Sequence, residues 1–365
     1  MASGPIQPLQ QALSNRTLPA LDGFRMIAVM SVVLAHGGVS TFFTARHGVA
    51  GFFVLSGFLI TWLLLKEHHQ TGSISFRKFY ARRSLRIFPA YYLFVAVTIS
   101  WELYRSNSEI RSSIAPSLFY LINYYNAIEG HPNTSLAHLW SLAVEEQFYL
   151  LYPLIFMFAM RRGVSTLGGT MTALIFAAMI WRTFAYSWLG WGSAYAYNAF
   201  ETRIDNLAIG CLLAVLIQRV AWQRFFAAVS SQAWMPLVTL GLLHLSRQLP
   251  WSHYEFGPAF TLDAVLLAVL LVQLMSLSQQ GFWRWLNFAP VCYVGLISYP
   301  IYLWHGWALQ AGDKLHFLPS TLQLLAGVIF CLMAGALSYE GFEKRFLRLK
   351  ARYAVTSPQR HAEVI

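Results

Sequence analysis

Ten apolar runs divide this chain of 365 residues, most of them close to the roughly 20 residues that cross a bilayer as a helix. They fall roughly at 21–40, 48–65, 87–104, 139–160, 168–188, 204–218, 233–248, 259–277, 290–310 and 319–340, the sixth and seventh being shortest. In hydrocarbon every backbone N–H and C=O must find its partner within the protein, which for separate runs of this length means helices. Only 11% of the residues are charged, against about 25% in a soluble domain, too few to cover so much apolar surface in water. The sequence predicts an all-α, polytopic membrane helix bundle of about ten transmembrane helices.

A formal net charge of +11 invites a nucleic-acid partner, but the placement of the charges argues for the lipid bilayer instead. With the N-terminus inside, eighteen of the 26 Lys and Arg fall on inner segments and six on outer ones, the positive-inside bias. Both termini are therefore expected in the cytoplasm. Residues 1–20 carry only Arg16 as a charge, so the first span is expected to stay as an anchor rather than be cleaved. The expected organisation is a cytoplasmic tail 1–20, a membrane domain 21–340 and a basic cytoplasmic tail 341–365, with no hydrolase-like domain appended. Cys211, Cys292 and Cys331 fit no metal spacing and are expected as small apolar fillers. The outer segment 105–138 is expected to fold over the outer mouth. The inner segment 66–88 places Lys78, Arg82 and Arg86 at i, i+4 and i+8, with Arg83 beside them, among aromatic residues. It is expected as an amphipathic helix lying on the inner membrane surface.

Ionisable residues inside a membrane are costly and usually face a cavity or the bundle interior. Arg25 and His36 are eleven residues apart, three turns plus about 20°, so they share a helix face roughly 16 Å apart along its axis. In "HLWSLAVEEQFYL", His138, Ser141 and Glu145 share a face and Glu146 lies about 100° round it. In "GLISYPIYLWH", Gly295, Ser298, Tyr302 and His305 form one polar stripe. The histidines and a carboxylate are expected at one depth, and Arg25, Arg82, Arg83 and Arg86 at the inner side. Each residue also has a plainer reading. Arg25 can be a helix-end charge paired with Asp22, the histidines can be hydrogen-bonded packing residues, and the arginine group can be a positive-inside anchor. The glutamates are hardest to explain by packing. "GVAGFFVLSGFL" reads as close helix packing at Gly48, Gly51, Ser56 and Gly57.

These motifs resemble the acyltransferase-3 family of multi-pass membrane acyltransferases over about 20–345. The resemblance rests on "LDGFR" with His36 after ten intervening residues, "GFFVLSGFLIT", "RRSLRIFP" with Arg83 and Arg86, "HLWSLAVEEQFYL", "RIDNLAIG", "GLISYPIYLWH" and "SYEGFEKRF". Arg345 stands where the family often has proline. The resemblance implies transfer of an acyl group, usually acetyl, from cytoplasmic acyl-CoA to a hydroxyl of an extracytoplasmic sugar or glycan, in the bacterial inner membrane. No cofactor is expected to be permanently bound; acetyl-CoA is the donor substrate. Phosphates suit arginine forks, so Arg25, Arg82, Arg83 and Arg86 are the candidate acyl-CoA contacts. His36 is the candidate general base or a nucleophilic acyl relay. Glu145 or Glu146 would orient its imidazole, and His138, Ser298, Tyr302 and His305 would line the acceptor site. A transporter or flippase for a glycolipid or anionic solute is the main alternative, and an acyl-CoA sensor a weaker one.

Overall fold

A computed structural model describes residue 9, residues 19–39 and residues 42–353. Arg16, Arg360 and most of both tails lie outside the described residues. Among the described residues all regular structure is helical. The bundle helices are α1 (Pro19–His36), α2 (Ala45–Thr71), α3 (Phe76–Tyr104), α4 (Trp140–Met160), α5 (Val164–Ser187), α6 (Ile204–Leu216), α7 (Val220–Val229), α8 (Met235–Ser246), α9 (Ala259–Leu277), α10 (Ala289–Leu296), α11 (Ser298–Asp313) and α12 (Ser320–Ser338). A π-helical turn at Tyr339–Glu343 joins α12 to a terminal helix, Lys344–Lys350.

Each of the ten apolar runs coincides with helix, but not all of that helix suffices to span. Among the described residues, six helices are long and apolar enough to cross a membrane, or seven if α6 and α7, bent by 111°, count as one span. The expected ten exceeds this for identifiable reasons. The run 290–310 is two helices broken at Ile297. α1 spends part of its 18 residues on Asp22, Arg25 and His36, and α8 has only 12 residues.

The expected surface-lying helix is also corrected. Ser75 caps an unbroken 29-residue α3 that passes through Pro89, and Phe79 and Ile87 are buried. Burying this apolar side turns the basic residues inward, toward a cavity, rather than along a membrane surface. In segment 105–138 two short helices form, Ile110–Leu118 and Ile122–Glu129, with Asn123 and Asn126 buried.

Glycine contacts set the closest helix approach. A methyl group on Gly57 of α2 would lie 2.0 Å from the Leu207 carbonyl oxygen of α6, and one on Gly210 of α6 would lie 2.0 Å from that of Val54. The two backbones therefore touch reciprocally, as small residues allow between membrane helices. The Ser56 beside Gly57 has another use, described below.

Charges buried in the bundle are mostly consumed by partners. The Arg182 guanidinium donates to the Gly257 carbonyl at 2.9 Å, to Asp205 at 3.0 Å and to the Thr261 hydroxyl at 2.7 Å, and also reaches the Thr202 carbonyl. This knot ties α5, α6 and α9 together. Arg46 lies 3.4 Å from Asp263 and 3.6 Å from the centre of the Phe260 ring.

Gly57→Ala or Gly210→Ala is expected to destabilise the fold by about 1–3 kcal/mol through overpacking. Gly241→Ala, where an added methyl meets nothing within 4 Å, is expected to be neutral or slightly stabilising. Thermal unfolding of the detergent-solubilised variants checks the contrast.

Candidate active site

Four helices and the turn before α4 deliver polar residues in a fixed vertical order, and this order creates two chambers. From α1, Arg25 lines the first chamber and His36 the second. From α3, Arg82, Arg83 and Arg86 line the first, and Glu102 and Arg105 the second. From α4 and the turn before it, Ser141, Glu145 and Glu146 line the first and His138 the second. From α11, Ser298 lines the first, His305 the second and Tyr302 both. Arg86 and Glu102 are sixteen residues apart, about 24 Å of helix, so the two chambers open toward opposite ends of the bundle.

The first chamber, about 190 Å³, is basic at its mouth and apolar within. Arg82 is held by Glu67 at 2.8 Å and by the Tyr353 carbonyl at 2.9 Å, and Arg25 pairs with Asp22. Arg83 stacks 4.4 Å from the centre of the Tyr149 ring. Among the described residues neither Arg83 nor Arg86 makes a side-chain hydrogen bond or ion pair. Their donors are therefore available to an anionic ligand. Glu145 accepts a bond from Ser56 at 2.8 Å. One oxygen of Glu146 is buried without a hydrogen-bond partner.

The second chamber, about 630 Å³, holds a histidine cluster. The His305 ring centre lies 4.8 Å from that of His36 and 4.9 Å from that of His138. His36 Nδ1 sits 2.9 Å from the Val32 carbonyl, and His305 Nδ1 sits 2.6 Å from the Tyr302 carbonyl. A carbonyl only accepts, so in each neutral imidazole Nδ1 carries the hydrogen and Nε2 the lone pair. This backbone fixation makes His36 and His305 proton acceptors through Nε2. Trp140 and Tyr197 present aromatic surface to the same chamber, and Asn107, Asn133 and Gln310 add amides. His131, in the loop over this chamber, meets Asn198 at 3.1 Å, and burial lowers its pKa from the usual histidine value.

Among the described residues, only Val49 of α2 and Tyr302 of α11 line both chambers. The Tyr302 hydroxyl donates to the His138 carbonyl at 2.9 Å. Its one hydrogen being used there, the Ser141 hydroxyl donates to it at 2.6 Å.

The structure thus gathers His36, His138, His305 and Tyr302 in one chamber, and Arg25, Arg82, Arg83, Arg86, Glu145, Glu146, Ser298 and again Tyr302 in the other. The expected pairing of a glutamate with the His36 imidazole does not occur, because the carboxylates sit on the arginine side. Glu145 is seven residues beyond His138, about 10 Å along the helix, which carries it past the wall. Ser298 likewise faces the arginine chamber. Sequence reasoning missed Val49, Tyr299 and Lys350 in the linings. It also missed Ser56 as a glutamate partner, having read it as packing. Arg203 of "RIDNLAIG" is fully buried with no hydrogen bond to any guanidinium nitrogen. Its carbon lies 4.1 Å from the Phe260 ring centre and 5.5 Å from that of Tyr197, so aromatic faces stabilise it.

A family model described as an acyltransferase domain matches residues 18–340. The chain belongs to the acyltransferase-3 family. It is similar to O-acetyltransferase OatA of Staphylococcus aureus (strain NCTC 8325 / PS 47), 29% identical over 81% of this chain and 51% of the relative. It is also similar to the putative peptidoglycan O-acetyltransferase YrhL of Bacillus subtilis (strain 168), 29% identical over 90% and 55%. Peptidoglycan O-acetyltransferase OatA of Listeria monocytogenes is 28% identical over 80% and 49%. The chain spans about half the length of these curated relatives. No solved structure matches it.

Within this acyltransferase-3 domain, Tyr302→Phe is expected to cost about 1–3 kcal/mol, since it strands the buried Ser141 hydroxyl and the His138 carbonyl. Ser141→Ala leaves the Tyr302–His138 bond intact and is expected to cost less, about 0.5–1.5 kcal/mol. Thermal unfolding of the two variants tests the order.

Proposed function

We propose that this protein is a membrane O-acyltransferase that moves an acetyl group from acyl-CoA to a sugar hydroxyl. The observation that carries the proposal is the pair of chambers with opposite chemistry that share Val49 and Tyr302 in their linings. The arginine chamber faces the cytoplasm in this reading. Arg83 and Arg86 bind phosphate oxygens of the donor, and the pantetheine arm runs past Arg25 into the apolar interior, bringing the thioester to Tyr302. The histidine chamber opens to the other side of the bacterial inner membrane and takes the acceptor. Trp140 and Tyr197 offer flat faces for a sugar ring, and the amides of Asn107, Asn133 and Gln310 match its hydroxyls. The names of the relatives put a cell-wall glycan first among acceptors to test.

In the direct route, His36 Nε2 takes the proton of the acceptor hydroxyl as its oxygen attacks the thioester carbon. The C–S bond then breaks, the oxygen keeps the acyl group, and the thiolate leaves with CoA and takes up a proton. In the relay route, His36 Nε2 attacks first, the C–S bond breaks and CoA leaves as thiolate; the acceptor hydroxyl then takes the acyl group from the acyl-imidazole, His305 Nε2 takes the hydroxyl proton, and the C–N bond breaks to restore the His36 lone pair. The geometry supports both routes, since both need the same bare nitrogen. In either route the donor enters from one side and the acceptor from the other.

Inside-out vesicles given acetyl-CoA labelled in the acetyl group provide the test. Label is expected in the glycan or lipid-linked glycan fraction, and His36→Ala is expected to lower the rate by about 10²–10⁴. Arg83→Ala and Arg86→Ala are expected to raise the KM for acetyl-CoA by about ten- to a hundredfold, the loss of one hydrogen bond to a charged group. Lysine at either position is expected to rescue only in part, lacking the fork. Folded wild-type protein that moves no label with acceptor present, or His36→Ala with full activity, would overturn the reading.

A further inference from the structure

Val49 of α2 and Tyr302 of α11 belong to the linings of both chambers, and they are held differently. Tyr302 is pinned by two hydrogen bonds, to His138 and from Ser141. Val49 is held only by packing and has no polar tie. Its backbone nevertheless has no room to retreat. At the neighbouring Gly48, an added methyl would lie 2.3 Å from the Ser31 hydroxyl and 2.5 Å from the Ala28 carbonyl oxygen, so α1 and α2 touch directly there. Val49 and Tyr302 are each only 6% exposed, although both border two cavities. The valine methyls and the tyrosine ring are thus the groups that the described linings of the two chambers have in common.

We infer that Val49, set against the fixed Tyr302 ring, determines the length of the acyl group this protein transfers, admitting two- or three-carbon chains and rejecting longer ones. The inference rests on the acyl-transfer reading and names its donor class. The thioester carbon has to sit at the wall, because the arginines hold one end of the donor and the accepting nitrogens lie beyond Tyr302. The remaining acyl carbons then compete for the space of the Val49 side chain. A methylene in an apolar pocket discriminates by about 10- to 200-fold, enough to select acetyl over butyryl.

The test offers acetyl-, propionyl-, butyryl- and hexanoyl-CoA in competition to vesicles holding the full chain, and reads the acyl groups on the acceptor by mass spectrometry. Wild type is expected to transfer acetyl and propionyl. Val49→Ala is expected to shift the butyryl-to-acetyl ratio upward by at least tenfold, and Val49→Ile to lower the propionyl-to-acetyl ratio. Val54→Ala serves as the control for loosened packing. Val54 is buried on the same helix and borders neither chamber, so its variant is expected to keep the wild-type profile. An unchanged profile in both Val49 variants, with acetyl transfer intact, would overturn the inference and leave the acyl-transfer reading standing. So would a shift produced by Leu59→Ala in the arginine chamber but not by Val49→Ala. Wild type that transfers no acyl group from any donor would remove the underlying reading, and the inference with it.

Discussion

The hydroxyl of Tyr302 joins three parts of the structure at one point. It donates to the His138 carbonyl, accepts from Ser141, and stands on the helix that carries His305. In a water-free interior an unpaired hydroxyl costs several kcal/mol, so this small network fixes where α11 meets α4. That contact places the histidine cluster on one side and Glu145, Glu146 and Ser298 on the other. Without it, the polar stripe of α11 would lose its hydrogen-bonded tie to the start of α4.

Ionisable groups inside this bundle divide by whether their hydrogen bonds are used. Arg182 and Asp205 satisfy one another and the backbone around them, and they hold α5, α6 and α9. Breaking such a buried pair is expensive, which marks it as structural. Arg83, Arg86, the Nε2 atoms of His36 and His305, and one oxygen of Glu146 instead leave capacity free at a cavity. Ionisable groups are costly in an apolar bundle, and those that line a cavity are candidates for ligand contacts. Arg203 fits neither class, for its charge is met by aromatic faces behind the walls of both chambers.

Much of this was legible in the sequence, but helical periodicity gives the face of a residue and not its depth. The shared face of Arg25 and His36 and the polar stripe from Ser298 to His305 both survived in three dimensions. The sequence predicts a carboxylate at the depth of the histidines, whereas Glu145 and Glu146 line the arginine chamber. The chain reaches α4 through a 3₁₀ turn at Ala137–Leu139, which leaves His138 on one side of Tyr302 and the carboxylates a full turn below it. The basic segment was read as lying on a surface because its aromatic residues looked like membrane anchors; they are partly core. Val49 had no signature at all. An apolar residue that borders two cavities looks, in sequence, like any other valine.

The division into two chambers also bears on the chemistry that they would perform. A thioester brought to a boundary open to water on both faces would be lost to hydrolysis. Here the two chambers share, among the described lining residues, only Val49 and a Tyr302 ring held at 2.6 Å and 2.9 Å. The bare Nε2 atoms of His36 and His305 belong to the larger chamber. Excluding water from one reactant and presenting a base to the other are opposite demands on a single pocket. Under the proposed function, splitting the pocket at Tyr302 would meet both, and would give the costly polar residues of this bundle a reason to fall into two groups rather than one.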